Sequence, residues 1–239
     1  MQAAIKRRKS RLSKSDIKKL SCFFYDQSNG MLASAFFNLP LPLKQHCVQV
    51  SITAEQMVAY APDSSLPSGM TRGEYANAVR YGCLYHDIGA YLVYNQPQMF
   101  PETGERFLGE QIAKDELDPN ARRVILETVR FCCERYDGCG FPDGAAADEI
   151  PLHAAICAIA DQIDTMLSAK RRLSLAELLK ARKYVSDNCG TRFSPEAVAC
   201  LMGASRDIAH LYRQWRKQPP FWNNHDIIPL EVPIERPIG

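Results

Sequence analysis

The chain has 239 residues, nearly half of them hydrophobic, which suits one large domain or two small ones around a sizeable core. A formal net charge of +2 excludes a nucleic-acid-binding surface spread over the whole molecule. Nine cysteines without CxxC spacing, behind a charged rather than apolar N-terminus, point to reduced thiols in a cytoplasmic protein.

Residues 1–20 carry Lys6, Arg7, Arg8, Lys9, Arg11, Lys14, Lys18 and Lys19 against Asp16. They read as a solvated basic arm, or as a contact for an anionic partner such as RNA, a membrane surface or an acidic protein. No aromatic residue interleaves these charges, which counts against single-strand binding. Residues 21–39 hold Phe23, Phe24, Tyr25, Phe36 and Phe37 and are expected to form a short helix and loop that cover the core. Pro40 and Pro42 then stop regular structure. A domain is expected over 40–217, followed by an extended Pro-rich tail over 218–239.

A helix is predicted over 43–61, with His46, Val50, Thr53, Ala54 and Met57 on one face. His46 then points the same way as the core, where a histidine bonded to a backbone carbonyl is the bland alternative. Thr71 can cap the next helix, which the spacing of Tyr75, Val79, Gly82, Cys83 and His86 carries as far as His86. Asp87 follows, and Gly89 stands where that helix would end. A polar pair at the end of a buried face needs partners, and a metal ion is one such partner. A His-Asp pair alone is common; His225-Asp226 is a second one, in the tail.

Further helices are predicted from about Pro101, with Glu102 in the first turn, and from Pro119, with Ala121, Val124, Ile125, Thr128, Val129 and Cys132 facing inward. The latter runs into FCCERYDGCGFPDG, residues 131–144, a tight loop rich in glycine and Asp-Gly steps. Residues 151–168 are helical and apolar on most sides, with Asp161 and Asp164 one turn apart. A carboxylate in so apolar a helix needs a cation or donors. Asp164 is expected to bond a neighbouring helix or the loop. Amphipathic helices over 174–188 and 194–217 complete the pattern, the first opening with the capping-box sequence SLAE. There is no strand alternation, no internal repeat and no apolar run near the ~20 residues that span a bilayer. The fold class is an all-α helical bundle.

His46, His86-Asp87 and Asp161 thus come from three helices in the order H…HD…D. With HDIG, PETGERFL, CCERYDGCGFPDG, IPLHAAICAIADQID and TRFSPEAV, they resemble the HD phosphohydrolase superfamily and, within it, the HD-GYP branch, over roughly residues 40–205. The resemblance implies an all-helical bacterial domain that hydrolyses cyclic di-GMP at two or three metal ions. It also implies ligands at His46, His86, Asp87 and Asp161, with hydrolysis depending on Asp87. Arg135, Asp137, Gly138 and Gly140 of the loop would lie at the substrate.

The departures from that pattern matter as much. The family's lysine after HDIG is Ala90, its histidine before PETGERFL is Phe100, and the two histidines that open the loop are Cys132 and Cys133. The glutamate that some members place before the first histidine is Pro42, and the tyrosine of the name motif is Phe141. Cys132 and Cys133 can be soft metal ligands or small buried hydrophobes. The four remaining ligands suit one Mn, Fe, Zn or Mg ion rather than a cluster. Two functions stand: a one-metal phosphohydrolase acting on a nucleotide or other phosphoester, with weak or no cyclic di-GMP hydrolysis, or an inactive signalling module that binds a nucleotide or a protein partner.

Overall fold

The computed structural model describes residue 36 and residues 39–93, 96–114, 117–168 and 174–217. The basic arm, most of the covering segment and the Pro-rich tail lie outside the described residues. Among those described there are helices and no strands, as the apolar spacing predicts. They are α1 (Leu41–Val58), α2 (Arg72–Leu84), α3 (Ile88–Leu92), α4 (Phe100–Gln111), α5 (Pro119–Phe131), α6 (Leu152–Ser168), α7 (Leu175–Asp187) and α8 (Pro195–Lys217). No helix among the described residues is long and apolar enough to cross a membrane.

The helix starts follow local chemistry. Thr71 and Glu74 close a reciprocal capping box on α2, and the Asp118 carboxylate accepts from the backbone N–H groups of Asn120 and Ala121 at the head of α5. Ser174 caps α7 through the Glu177 N–H. Pro42, Pro101 and Pro119 each stand in the first turn of their helix, where no N–H is needed. Pro42 therefore starts α1 rather than preceding it, and α1 runs two residues further upstream than its periodicity implies.

α1 lies at the centre, packed against α2, α6 and α8; α5 backs α2 and α6, and α4 bridges α3 and α5. Ile156, Ile159, Ile163 and Leu167 of α6 are buried in this core, each contributing about 1.5–3 kcal/mol by leaving water. Phe36 is buried edge-on against Tyr85, at 5.6 Å between ring centroids.

The structure corrects one expected boundary. α2 ends at Leu84, so Tyr85, His86 and Asp87 form a turn between helices. Tyr85 (φ −110°, ψ 9°) and Asp87 (φ −97°, ψ 6°) both occupy the bridge region of the backbone map, where many active-site residues sit. Gly89 does not end a helix but lies inside α3. A Cβ there would stand 1.9 Å from the Phe100 carbonyl oxygen, because the α3 and α4 backbones touch at this point. Gly89→Ala must push the two backbones apart. Its expected cost is about 1–3 kcal/mol of unfolding free energy, read from urea denaturation, and the displaced α3 should perturb His86 and Asp87 as well.

Candidate metal centre

Two helices and the turn after a third bring four candidate donors close together. His46 comes from the second turn of α1, His86 and Asp87 from the turn after α2, and Asp161 from the middle of α6. The His46, His86 and Asp87 donor atoms all lie within 4.8 Å of one another. His46 Nε2 is 3.1 Å from Asp161 Oδ1 and 3.7 Å from Asp87 Oδ2, and His86 Nε2 is 3.4 Å from the same Asp87 oxygen. Ligands bound at about 2.0–2.2 Å stand roughly 3–3.6 Å apart around a common ion, so these spacings are close to edges of one coordination polyhedron. Asp161 joins from the His46 side and stands outside the mutual group of three.

Each imidazole is anchored through Nδ1, which leaves Nε2 facing the centre. His86 Nδ1 is 2.7 Å from the Cys83 carbonyl and donates to it. Its Nε2 is buried and has no hydrogen-bond partner among the described residues. A buried lone pair left unsatisfied is costly, and a divalent ion satisfies it. Two imidazole nitrogens and two carboxylates are a donor set that fits such an ion. His46 Nδ1 stands 2.8 Å from Asp164 Oδ2, and the other Asp164 oxygen accepts from the Tyr212 hydroxyl at 2.7 Å. Asp164 is fully buried, and it bonds neighbouring helices as its position on α6 leads one to expect.

The electrostatics follow from this crowding. Burial alone would lower the His46 pKa, but hydrogen bonds and charge from Asp161 and Asp164 outweigh it and carry the value up to about 10. Burial would raise Asp161, yet His46 and the charge of both imidazoles hold it below the usual carboxylate range. Burial and the Asp164 charge push the Tyr212 phenol well up, so its hydroxyl remains a donor.

The loop that follows α5 is a self-bonded unit. The Glu134 carboxylate accepts from the backbone N–H groups of Asp143 and Gly144. Arg130 grips Asp143 in a fork at 2.7 Å and 2.7 Å, and Arg135 grips Asp137 at 2.9 Å and 2.6 Å. Gly138 takes a left-handed φ of +74°. A Cβ on Gly140 would lie 2.4 Å from the Arg135 nitrogen. Thus Arg135, Asp137, Gly138 and Gly140 all have work in shaping the loop. Cys132 and Cys133 have their sulfurs 3.8 Å apart, and the Cys132 thiol donates to the Val129 carbonyl. The neighbouring Cys133 thiol, burial and the charge of Asp87 and Asp161 push Cys132 well above the ordinary thiol range, which keeps it a neutral thiol in the metal-free protein.

Sequence reasoning missed Tyr212 and Glu134. Tyr212 sits on the apolar stripe of α8 one turn after Ile208, and nothing in that spacing marks its hydroxyl. Glu134 lies inside the loop motif, and its burial was the missing signal. A separate cavity of about 490 Å³, lined by residues including Arg123, Tyr136, His153 and Ser194, opens at the start of α6. It lies about 12 Å along the helix from Asp161.

The raised His46 pKa has two measurable consequences. In the metal-free protein the His46 pairing stabilises the fold fully below pH 6.5, the free imidazole value, and this contribution fades as pH rises through about 10. An ion at Nε2 must displace the His46 proton. Affinity for Zn2+ between pH 6 and 8 is therefore expected to rise with pH by roughly tenfold per unit for that one proton. Titration calorimetry in buffers of different ionisation enthalpy counts the protons released.

Residues 43–166 match the HD domain family model. The chain is 33% identical over 81 residues to a cyclic di-GMP phosphodiesterase of Thermotoga maritima, and 35% identical over 82 residues to the cyclic di-GMP phosphodiesterase response regulator RpfG of Xanthomonas campestris pv. campestris. Each alignment takes in 34% of this chain and 22% of the relative, so the chain spans about a fifth of the length of these curated relatives. The family match covers more than half of the chain and includes all four converging residues: the chain belongs to the HD domain family.

Proposed function

We propose that this protein is a divalent-metal-dependent phosphohydrolase of HD-GYP type with a reduced, one-metal centre, acting on a phosphoester or nucleotide and turning over cyclic di-GMP slowly or not at all. The observation that carries this reading is the buried Nε2 of His86, which has no hydrogen-bond partner among the described residues and stands beside His46 Nε2 and Asp87. The activity printed for the two relatives supports phosphoester chemistry. A bound Mn, Fe, Zn or Mg ion polarises a phosphate oxygen and lowers the pKa of its water. The chain's own residues prepare for that. His46 and His86 are locked at Nδ1 so that neither ring swings. Asp87 and Asp161 are the more exposed members of the set and form the side from which a phosphoester approaches.

What is reduced is the stabilisation of the developing charge. Ala90 offers no cation to the phosphate, and Phe100 and Cys132 offer no imidazole for a second ion. Each lost electrostatic contact commonly costs about 10²–10³ in rate, although losses within one cluster need not multiply. The domain extends over residues 40–217, and its free thiols suit a reducing, cytoplasmic setting.

A second reading is an inactive module that binds a nucleotide or a signalling protein. It draws on the missing lysine at Ala90 and the missing imidazole at Phe100, which remove much of the family's catalytic clamp.

Elemental analysis of the purified protein is expected to find about one ion per chain, lost in Asp87→Ala. The metal-loaded protein should cleave an activated aryl phosphodiester slowly, cyclic di-GMP much more slowly, and neither after Asp87→Ala. Fast cleavage of cyclic di-GMP overturns the reduced centre; aryl ester cleavage that survives Asp87→Ala moves the assignment to the binding module. Replacing Cys132 and Cys133 together with Ala should leave the metal content unchanged, since Cys132 is held as a buried neutral thiol by the Val129 carbonyl.

A further inference from the structure

The two imidazoles of the centre are anchored in different ways. His86, in the turn after α2, is fixed by the carbonyl of Cys83, three residues earlier in the last turn of that helix, so its anchor is local. His46 is fixed from outside its helix. Its Nδ1 lies 2.8 Å from Asp164 Oδ2 on α6, and Asp164 Oδ1 accepts from the Tyr212 hydroxyl of α8 at 2.7 Å. Thr53, two turns after His46 on α1, approaches the same hydroxyl at 3.5 Å. All three partners are buried, and the Tyr212 ring is packed edge-on against Trp215 at 4.8 Å.

A fully buried carboxylate is costly to keep unless its oxygens are bonded. Here the bonds run in line from α8 through α6 to the ring nitrogen of His46 opposite the centre. An imidazole held at one nitrogen can still turn about its Cβ–Cγ bond. A carboxylate at the second nitrogen fixes the ring orientation and raises the basicity of the ligating nitrogen.

We propose that Asp164 and Tyr212 are positioning residues for His46, a buried strut through which α8 holds one ligand of the metal centre while leaving the other untouched. The proposal rests on the metal-centre reading above and adds to it a dependence on a helix that supplies no ligand. Tyr212 acts through Asp164, so its effect vanishes when Asp164 can no longer transmit it.

The test is calorimetric titration of the full chain with Zn2+ and with Mn2+ at one fixed pH. It compares the wild type, Tyr212→Phe, Asp164→Asn and the double variant, with melting of each metal-free protein as the check on folding. Asp164→Asn is expected to weaken binding by about 10–100-fold. Tyr212→Phe should weaken it by a smaller factor in the same direction. The double variant should bind no more weakly than Asp164→Asn alone, a non-additivity that independent packing defects do not produce. Equal affinity in the wild type and both single variants overturns the strut and leaves the metal centre standing, as does a double variant whose losses simply multiply. Failure of the wild type to bind either ion overturns the metal-centre reading and the strut with it. Should Asp164→Asn not fold, Tyr212→Phe decides alone, and unchanged affinity there overturns the proposal.

Discussion

One imidazole between two carboxylates governs this structure. Asp161 and Asp164 are three residues apart on α6, so helical geometry brings their carboxylates to neighbouring positions on one face. Two like charges held that close in a mostly apolar helix repel each other and are stripped of much of their water. His46 stands between them, with Nε2 toward Asp161 and Nδ1 toward Asp164. Without an ion, a proton on the imidazole compensates both carboxylates, which is why its affinity for that proton is so high. With an ion, one proton leaves and the ion takes over the compensation on the Asp161 side. The Asp164 side keeps its proton and its bond to Tyr212.

The rest of the fold serves this arrangement. α1 can bring His46 to α6 because Val50, Ala54 and Met57, on the same helix, are buried in the core. α2 supplies His86 and Asp87 only after it has ended. Adjacent residues on a helix point about 100° apart, whereas the bridge-region turn after Leu84 lets both side chains reach one centre. The turn is held in place from behind, where the α3 backbone touches that of α4 at Gly89.

The helices and the clustering of the candidate ligands were largely legible in the sequence, the helices because they rest on local rules. Periodic apolar residues set α1, α2, α5 and α6, and Thr71, Ser174, Pro101 and Pro119 marked starts that the structure keeps. His46, His86 and Asp87 do come together, as the family pattern led one to expect, with Asp161 beside His46. What was not legible depends on contacts distant in sequence. The role of Gly89 comes from the Phe100 carbonyl, eleven residues away on another helix, so a rule for helix ends misread it. Tyr212 reads as one more aromatic on a stripe, because its partner lies 48 residues upstream. The fork between Arg135 and Asp137, two residues on, was likewise not legible, because sequence spacing does not show which donors and acceptors meet in a loop.

The charge count at the centre bears on what it can accept. A divalent ion placed among neutral imidazoles meets the carboxylates of Asp87 and Asp161, and Asp164 stands directly behind His46. Three carboxylates against a double positive charge leave the immediate surroundings slightly negative. Among the described residues, Arg130 and Arg135 are paired with Asp143 and Asp137 within their own loop, and Ala90 brings no charge. On the one-metal reading proposed above, these described groups give an incoming phosphate little long-range attraction. Its binding depends on direct contact with the ion, at the short distance where that one interaction outweighs the carboxylates. The cost of approach grows with the charge on the ester. A singly charged diester pays it once, whereas a polyphosphate or a cyclic dinucleotide pays it for every phosphate brought near the site. On the proposed one-metal reading, Ala90, Phe100, Cys132 and Cys133 would thus act twice, weakening the stabilisation of the transition state and turning the field around the ion against highly charged substrates.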